Sequence, residues 1–241
     1  MKKSFYSLIV AAVVSFGSLC AQGAEATSQA IVLKVKGTPQ AIVAGESQPV
    51  ALKVGDKLPQ GATITTSLGS EVDLQAFNGA VATIKEGSTV NLEKLSVTTS
   101  GGAVTKQTAL LNLKVGTILS QIDPANHNIN DYGIRTPKGV AAARGTAYGV
   151  TVTTTGTIQL FVTSSAVTFT NTTTGKTFTV PAGSAVAVHE DGSFETVPFS
   201  SIDPDYVSEL EKAYGDFKKV GGDTGVPAFD SKAQPQSPSS N

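Results

Sequence analysis

The chain has 241 residues, 40% of them hydrophobic and 15% charged, with a formal net charge of −1. This composition supports a packed core and excludes global disorder. The balanced charge provides no basic field for nucleic acid, so we expect no nucleic-acid partner.

The N-terminus has the layout of a bacterial secretory signal peptide. Lys2 and Lys3 form a positive region, an apolar run over 8–16 follows, and small residues come next. Cleavage after Gly23 or after Ala26 fits the small-x-small rule, which predicts a signal peptide of 1–26 and a periplasmic or secreted protein. The alternative is an uncleaved membrane anchor, and only in that case do we expect contact with the membrane.

The single cysteine, Cys20, lies inside this leader. Leu19 precedes it where lipidation requires a small residue, so a lipoprotein is disfavoured. The exported chain would then have no disulfides and no thiolate metal ligands.

From residue 30 onward, hydrophobic residues recur with period two. In 62–77, for example, Ile64, Val72 and Leu74 alternate with polar neighbours. β-Branched residues dominate, and turn formers such as Asn78-Gly79 recur at short intervals. The pattern predicts an all-β domain over 30–199, either a compact β roll with a solenoid-like course, a sandwich or a barrel.

One helix is predicted near the C-terminus, over 202–220. Asp203 is the expected N-cap and Pro204 the first helical residue. The helix carries an apolar stripe, which we expect to pack on the β domain. The stripe consists of Tyr206, Leu210, Ala213, Tyr214 and Phe217. The Pro-, Ser- and Gln-rich segment 221–241 predicts a disordered tail.

Motifs for catalysis or metal binding are weak. Gly175-Lys176-Thr177 lacks the preceding glycine and the following helix of a phosphate-binding loop, and a hairpin turn is expected. The loop 123–131 is rich in oxygen atoms but lacks the glycine and glutamate of a calcium loop. His127 and His189 have no motif around them. We therefore expect no catalytic residue, no cofactor and no metal.

The most distinctive stretch is "RTPKGVAAARGTAYGVTV", residues 135–152, which contains both arginines of the chain. Pro137 should begin or border a strand, and Gly139 and Gly145 allow close backbone approach. Two roles for Arg144 remain open. Its five N–H donors could bind otherwise unsatisfied backbone carbonyls, or they could recognise a carboxylate or a loop of a partner.

This stretch resembles the signature of FecR-type domains, in which Thr-Pro, a Gly-Val step and Arg-Gly-Thr precede an aromatic residue. The corresponding positions are Thr136, Pro137, Gly139, Arg144, Gly145, Thr146 and Tyr148. The upstream sequence "LKVGDKLPQG" and the segments that follow extend the resemblance over about residues 30–195. It implies an extracytoplasmic β domain that receives a signal from an outer-membrane transporter.

In the best-understood members of this family, a cytoplasmic anti-sigma segment and a membrane helix precede that domain. Here a predicted signal peptide stands in their place. The leading hypothesis is therefore an exported, non-enzymatic module that binds a protein or an envelope component. The alternatives are a component of a sigma-factor signalling system with an uncleaved anchor, a carbohydrate-binding module and a hydrolase.

Overall fold

The computed structural model describes residues 23–189 and 191–220. Most of the predicted signal peptide and the predicted tail over 221–241 lie outside the described residues. The described chain contains eighteen strands: β1 (Ala24–Thr27), β2 (Gln29–Lys36), β3 (Gln40–Ile42), β4 (Val50–Ala51), β5 (Lys57–Pro59), β6 (Thr63–Thr65), β7 (Glu71–Phe77), β8 (Ala80–Ile84), β9 (Thr89–Ser100), β10 (Ala103–Ile122), β11 (Asn130–Arg135), β12 (Gly139–Ala143), β13 (Ala147–Val152), β14 (Ile158–Ser164), β15 (Ala166–Asn171), β16 (Thr177–Pro181), β17 (Ser184–Val188) and β18 (Phe194–Val197).

Three helical elements complete the described part. They are two 3₁₀ turns, η1 (Pro124–Asn126) and η2 (Phe199–Ser201), and one helix, α1 (Pro204–Lys219). The Asp203 carboxylate accepts a hydrogen bond from the Asp205 amide, and Pro204 occupies the first turn. The predicted all-β fold with one C-terminal helix is confirmed.

The strands form two sheets, which we call sheet I and sheet II. Sheet I has the order β4-β3-β6-β9-β10-β11-β12-β15-β16, and β1 pairs with the second half of β9 on the side that β6 occupies. Sheet II has the order β5-β2-β7-β8-β10-β13-β14-β17-β18. Only the β10–β11 pair is parallel among these described pairings.

Strand β10 belongs to both sheets. Its residues up to Val115 pair with β9 in sheet I, and its residues from Gly116 pair with β8 and β13 in sheet II. After β10, the hairpins β11–β12, β13–β14, β15–β16 and β17–β18 alternate between the two sheets. The fold is therefore a two-sheet sandwich with a roll-like chain path.

The main core fills the space between the sheets. The alternating apolar residues predicted from period two lie there, including Ile64, Val72 and Leu74, each at most 1% exposed. A second apolar cluster lies on the outer face of sheet II, where Leu210, Tyr214 and Phe217 of α1 are buried. This packing confirms the expected contact between the helix and the β domain.

Candidate functional site

The stretch 135–152 connects the two sheets. It begins at the last residue of β11, passes through β12 in sheet I, crosses at Arg144–Thr146, and continues as β13 in sheet II. The signature residues therefore lie in one turn, one crossover and one buried strand.

The turn between β11 and β12 is organised by Thr136. Its amide donates to the Gly139 carbonyl at 2.8 Å, and its hydroxyl donates to the same oxygen at 2.9 Å. Pro137 lies exposed at the tip of the turn. A Cβ on Gly139 would lie 2.4 Å from the Thr170 carbonyl oxygen and 2.5 Å from the Phe169 ring, so only glycine fits at this position.

The crossover itself is tightly held. Gly145 has φ +134°, and a Cβ there would lie 2.6 Å from the Cα of Pro124. Thr146 is fully buried; its hydroxyl donates to the Ser164 carbonyl, and its carbonyl accepts from the Ile122 amide at 2.9 Å. The backbone is consequently held after Arg144 by these contacts and before it by the pairing of Ala143 with Tyr132 of β11.

Tyr148 lies in the core between the sheets. Its ring is fully buried and packs edge-on to Tyr132, with ring centroids 6.4 Å apart. The Tyr132 hydroxyl lies 2.9 Å from the Ser120 hydroxyl. Burial raises the pKa of both phenols, so both remain neutral hydrogen-bonding groups.

Arg135 is paired on the outer face of sheet I. Its Nε donates to both carboxylate oxygens of Glu93, at 2.9 and 2.8 Å, and Glu93 also accepts from Asn112 at 3.0 Å. The two charged side chains are about one-third exposed, at 36% and 33%. The charge of Arg135 is thus already matched within the chain.

Arg144 differs from Arg135. Its side chain is exposed, and it makes no hydrogen bond or ion pair within residues 23–189 and 191–220. The interpretation that Arg144 binds buried carbonyls is therefore wrong. The physical reason is that the carbonyls of Thr146 and Ser164 beside the crossover already have backbone or hydroxyl donors.

The other polar motifs are built as turns. Asp123 caps η1 by accepting from the Ala125 amide at 2.9 Å, and Nδ1 of the exposed His127 lies 3.0 Å from the Pro124 carbonyl. Nε2 of His189 lies 3.5 Å from Glu195. Gly175 lies in the turn joining β15 to β16, which confirms the expected hairpin.

An ionic cluster under α1 was not predicted. Lys85, the residue directly after β8, donates to Glu71 of β7 and, at 2.7 Å, to Glu209 of α1. Its ammonium also lies 5.7 Å from the centroid of the Tyr206 ring. Lys85 and Glu71 are only 9% and 8% exposed.

The pKa values of two carboxyl groups in this region, Glu71 and Asp73, are shifted in opposite directions. Burial would raise the pKa of Glu71, but the hydrogen bond and charge of Lys85 outweigh burial and lower it. Burial raises the pKa of the neighbouring Asp73, whose Oδ1 is buried without a hydrogen-bond partner among the described atoms. The sequence does show Glu71, Asp73 and Gln75 on one face of β7, which indicates an outer face, but it does not show that a helix covers that face.

A match to a protein family supports the resemblance found in the sequence. Residues 62–168 match the sequence profile of the family described as FecR protein, and this segment includes the whole stretch 135–152. Two crystal structures of a candidate anti-sigma factor from Parabacteroides distasonis are similar at 12% identity, with TM-scores of 0.45 and 0.44. The similarity covers 56% of this chain and 59% of that protein, less than two thirds of its length.

No curated protein sequence matches the chain. Within the described residues, no helix has the length and apolar character needed to span a bilayer.

Proposed function

We propose, on the basis of the FecR domain at residues 62–168, that this chain is an exported, non-enzymatic module that binds a protein or another component of the cell envelope. The observation that carries the proposal is the exposed charge of Arg144 at the centre of the domain signature, which has no partner among the residues that the structure describes. The binding site is the end of the sandwich at which the chain crosses between the sheets.

The chemistry of this end suits recognition of a carboxylate. A guanidinium presents a planar set of donors that matches a carboxylate with two parallel hydrogen bonds. The backbone beside Arg144 is fixed by Gly145 and Thr146, so little additional conformational entropy is lost when a partner binds. The neighbouring Ala142 is exposed and small, which leaves room for the backbone of a partner.

Site-specific crosslinking tests this proposal. A photoreactive residue at Ala142 of the full-length protein should form a discrete crosslinked product in cell envelopes. Arg144→Ala should reduce its yield by about fivefold or more, since arginine anchors contribute strongly to interfaces. Lys176→Ala, which also removes one exposed positive charge, should leave the yield unchanged. Equal yields in all three proteins would exclude Arg144 as the anchor.

The position of β1 favours the first of the two predicted cleavage sites. Residues Ala24–Thr27 pair with Thr99–Ser96 of β9, and Glu25 lies 3.1 Å from Lys94. Cleavage after Ala26 would remove three of these four paired residues, whereas cleavage after Gly23 would keep the strand. We therefore expect a periplasmic or secreted protein that begins at Ala24.

Intact-protein mass spectrometry of the fractionated cell checks this expectation. A mass that corresponds to a chain beginning at Ala24 supports export with cleavage after Gly23. A mass that corresponds to a chain beginning at Thr27 assigns cleavage after Ala26. A membrane-bound protein that keeps Lys2 and Lys3 would contradict export and favour the signalling alternative with an uncleaved anchor.

A further inference from the structure

The outer face of sheet II differs from an ordinary solvent-exposed face. It presents Val81, Leu119, Ala147, Phe161 and Ala185 as an apolar patch. Four of these five residues, all except Ala185, lie inside the FecR segment 62–168, whereas the helix that covers them lies outside it. The domain thus has an apolar surface that an element outside the matched segment covers.

The helix covers this patch with one face. α1 has sixteen residues, and only Leu210, Tyr214 and Phe217 are buried. They follow the i, i+4, i+7 spacing of a helix that lays one face into a groove. Tyr206 and Val207 pack partly buried against the same cluster, and the side chains that face away from the sheet remain exposed, so one face of the helix alone holds it in place.

One ionic contact orients the helix on the sheet. Glu209 of α1 reaches Lys85, whose charge is also held by Glu71. Glu71 in turn lies 3.6 Å from Lys34. If α1 leaves, Lys85 keeps Glu71 but loses the second carboxylate, so the exposed patch carries a cationic group that can accept an acidic residue of another helix.

We propose that the outer face of sheet II is a docking surface for an amphipathic helix, which α1 occupies in the isolated chain and which a helix of a partner protein can take over. The fitting partner helix carries apolar residues at i, i+4 and i+7 and a carboxylate one position before the first of them, as Glu209 precedes Leu210. This surface is separate from the Arg144 end, and the proposal does not depend on the function proposed above.

Replacing the resident helix tests the docking surface. Leu210→Asp in the full-length protein should detach α1, because it places a charge in the second apolar cluster while the core between the sheets is unchanged. A fluorescent peptide of residues 199–219 should then bind this variant about tenfold or more tightly than it binds the wild-type protein. Ser208→Asp adds the same charge at an exposed position of α1 and should behave as wild type.

Two peptide variants define the contacts. The peptide carrying Leu210→Asp should not bind, and the peptide carrying Glu209→Gln should bind more weakly because Lys85 loses a carboxylate. Arg144→Ala added to the Leu210→Asp protein should leave peptide binding unchanged, which separates this surface from the one proposed above. Failure of the wild-type peptide to bind a folded Leu210→Asp protein would overturn the proposal.

Hydrogen exchange in the wild-type protein gives a second measurement if Leu210→Asp does not fold. The amides of α1 should exchange about tenfold or more faster than those of β13, because the helix detaches while the sandwich remains intact. Equal protection of α1 and β13 would show that the helix and the sandwich open together, and the surface would then be part of an inseparable core.

Discussion

The two outer faces of the sandwich differ in the side chains they carry and in how those side chains are covered. The face of sheet II has large apolar groups and a buried charge cluster, and α1 covers both. The face of sheet I carries exposed, mutually paired charges such as Lys94–Glu25, Lys106–Asp131 and Arg135–Glu93. Charged residues of the same types should therefore contribute differently to stability on the two faces, since burial decides how much an ion pair matters.

The largest difference between the faces should come from apolar truncation. Phe161→Ala removes a fully buried ring between sheet II and α1, and we expect a loss of about 3–5 kcal/mol of unfolding free energy. Leu110→Ala, on the half-buried outer face of sheet I, should cost less than about 1.5 kcal/mol. Urea denaturation measures both variants, and equal losses would remove the distinction between the two faces.

Replacing a charged residue should give a smaller difference in unfolding free energy between the two faces than apolar truncation gives. Lys85→Met leaves the buried Glu71 without its main partner and should cost about 2–4 kcal/mol. Arg135→Met breaks the partly exposed pair with Glu93 and should cost about 1 kcal/mol or less. Added salt should change the stability of the wild type and Lys85→Met by similar amounts if burial shields the cluster from screening.

The contribution of the sheet II face to folding stability should depend on pH because of Asp73. Its pKa is raised in the folded protein by burial first and by the charges of Glu71 and Glu209 second, so its ionised form opposes folding. That destabilisation develops as the pH rises above the unfolded pKa, near about 4, and it is absent at lower pH. Asp73→Asn should therefore raise the melting temperature at pH 7 and have little effect at pH 3. A uniform effect at both pH values would contradict this assignment.

The smallest expected effect concerns Arg144. Because its side chain is exposed and unpaired within the described part of the chain, Arg144→Ala should change the unfolding free energy by less than about 0.5 kcal/mol. Thermal melting of the purified protein measures it. A loss above 1 kcal/mol would show that the guanidinium has an internal partner after all.

Much of the fold could be predicted from the sequence because the relevant signals are local. The period-two pattern around Ile64, Val72 and Leu74 predicts strands with one buried face, and these residues are buried. Asp203 and Pro204 predict the start of α1, and its apolar stripe predicts the packed side. The resemblance carried by 135–152 is confirmed by the match over 62–168.

The site was less predictable because it depends on which strands become neighbours. Lys85, Glu71 and Glu209 are separated by 14 and 124 residues along the chain and have no common motif. The signature also does not indicate that Arg135 is paired whereas Arg144 has no partner within the described ranges 23–189 and 191–220. Glu93 reaches Arg135 only because β10 lies between β9 and β11 in sheet I.

By itself, the sequence determined the strand-rich architecture, the capped helix and the glycines of the signature, since backbone preference and side-chain periodicity act over a few residues. Only the tertiary structure decided that Arg144 remains in water, that Tyr148 is buried and that α1 covers sheet II. These outcomes depend on contacts between residues far apart in the chain, whose energies exist only once the two sheets have packed.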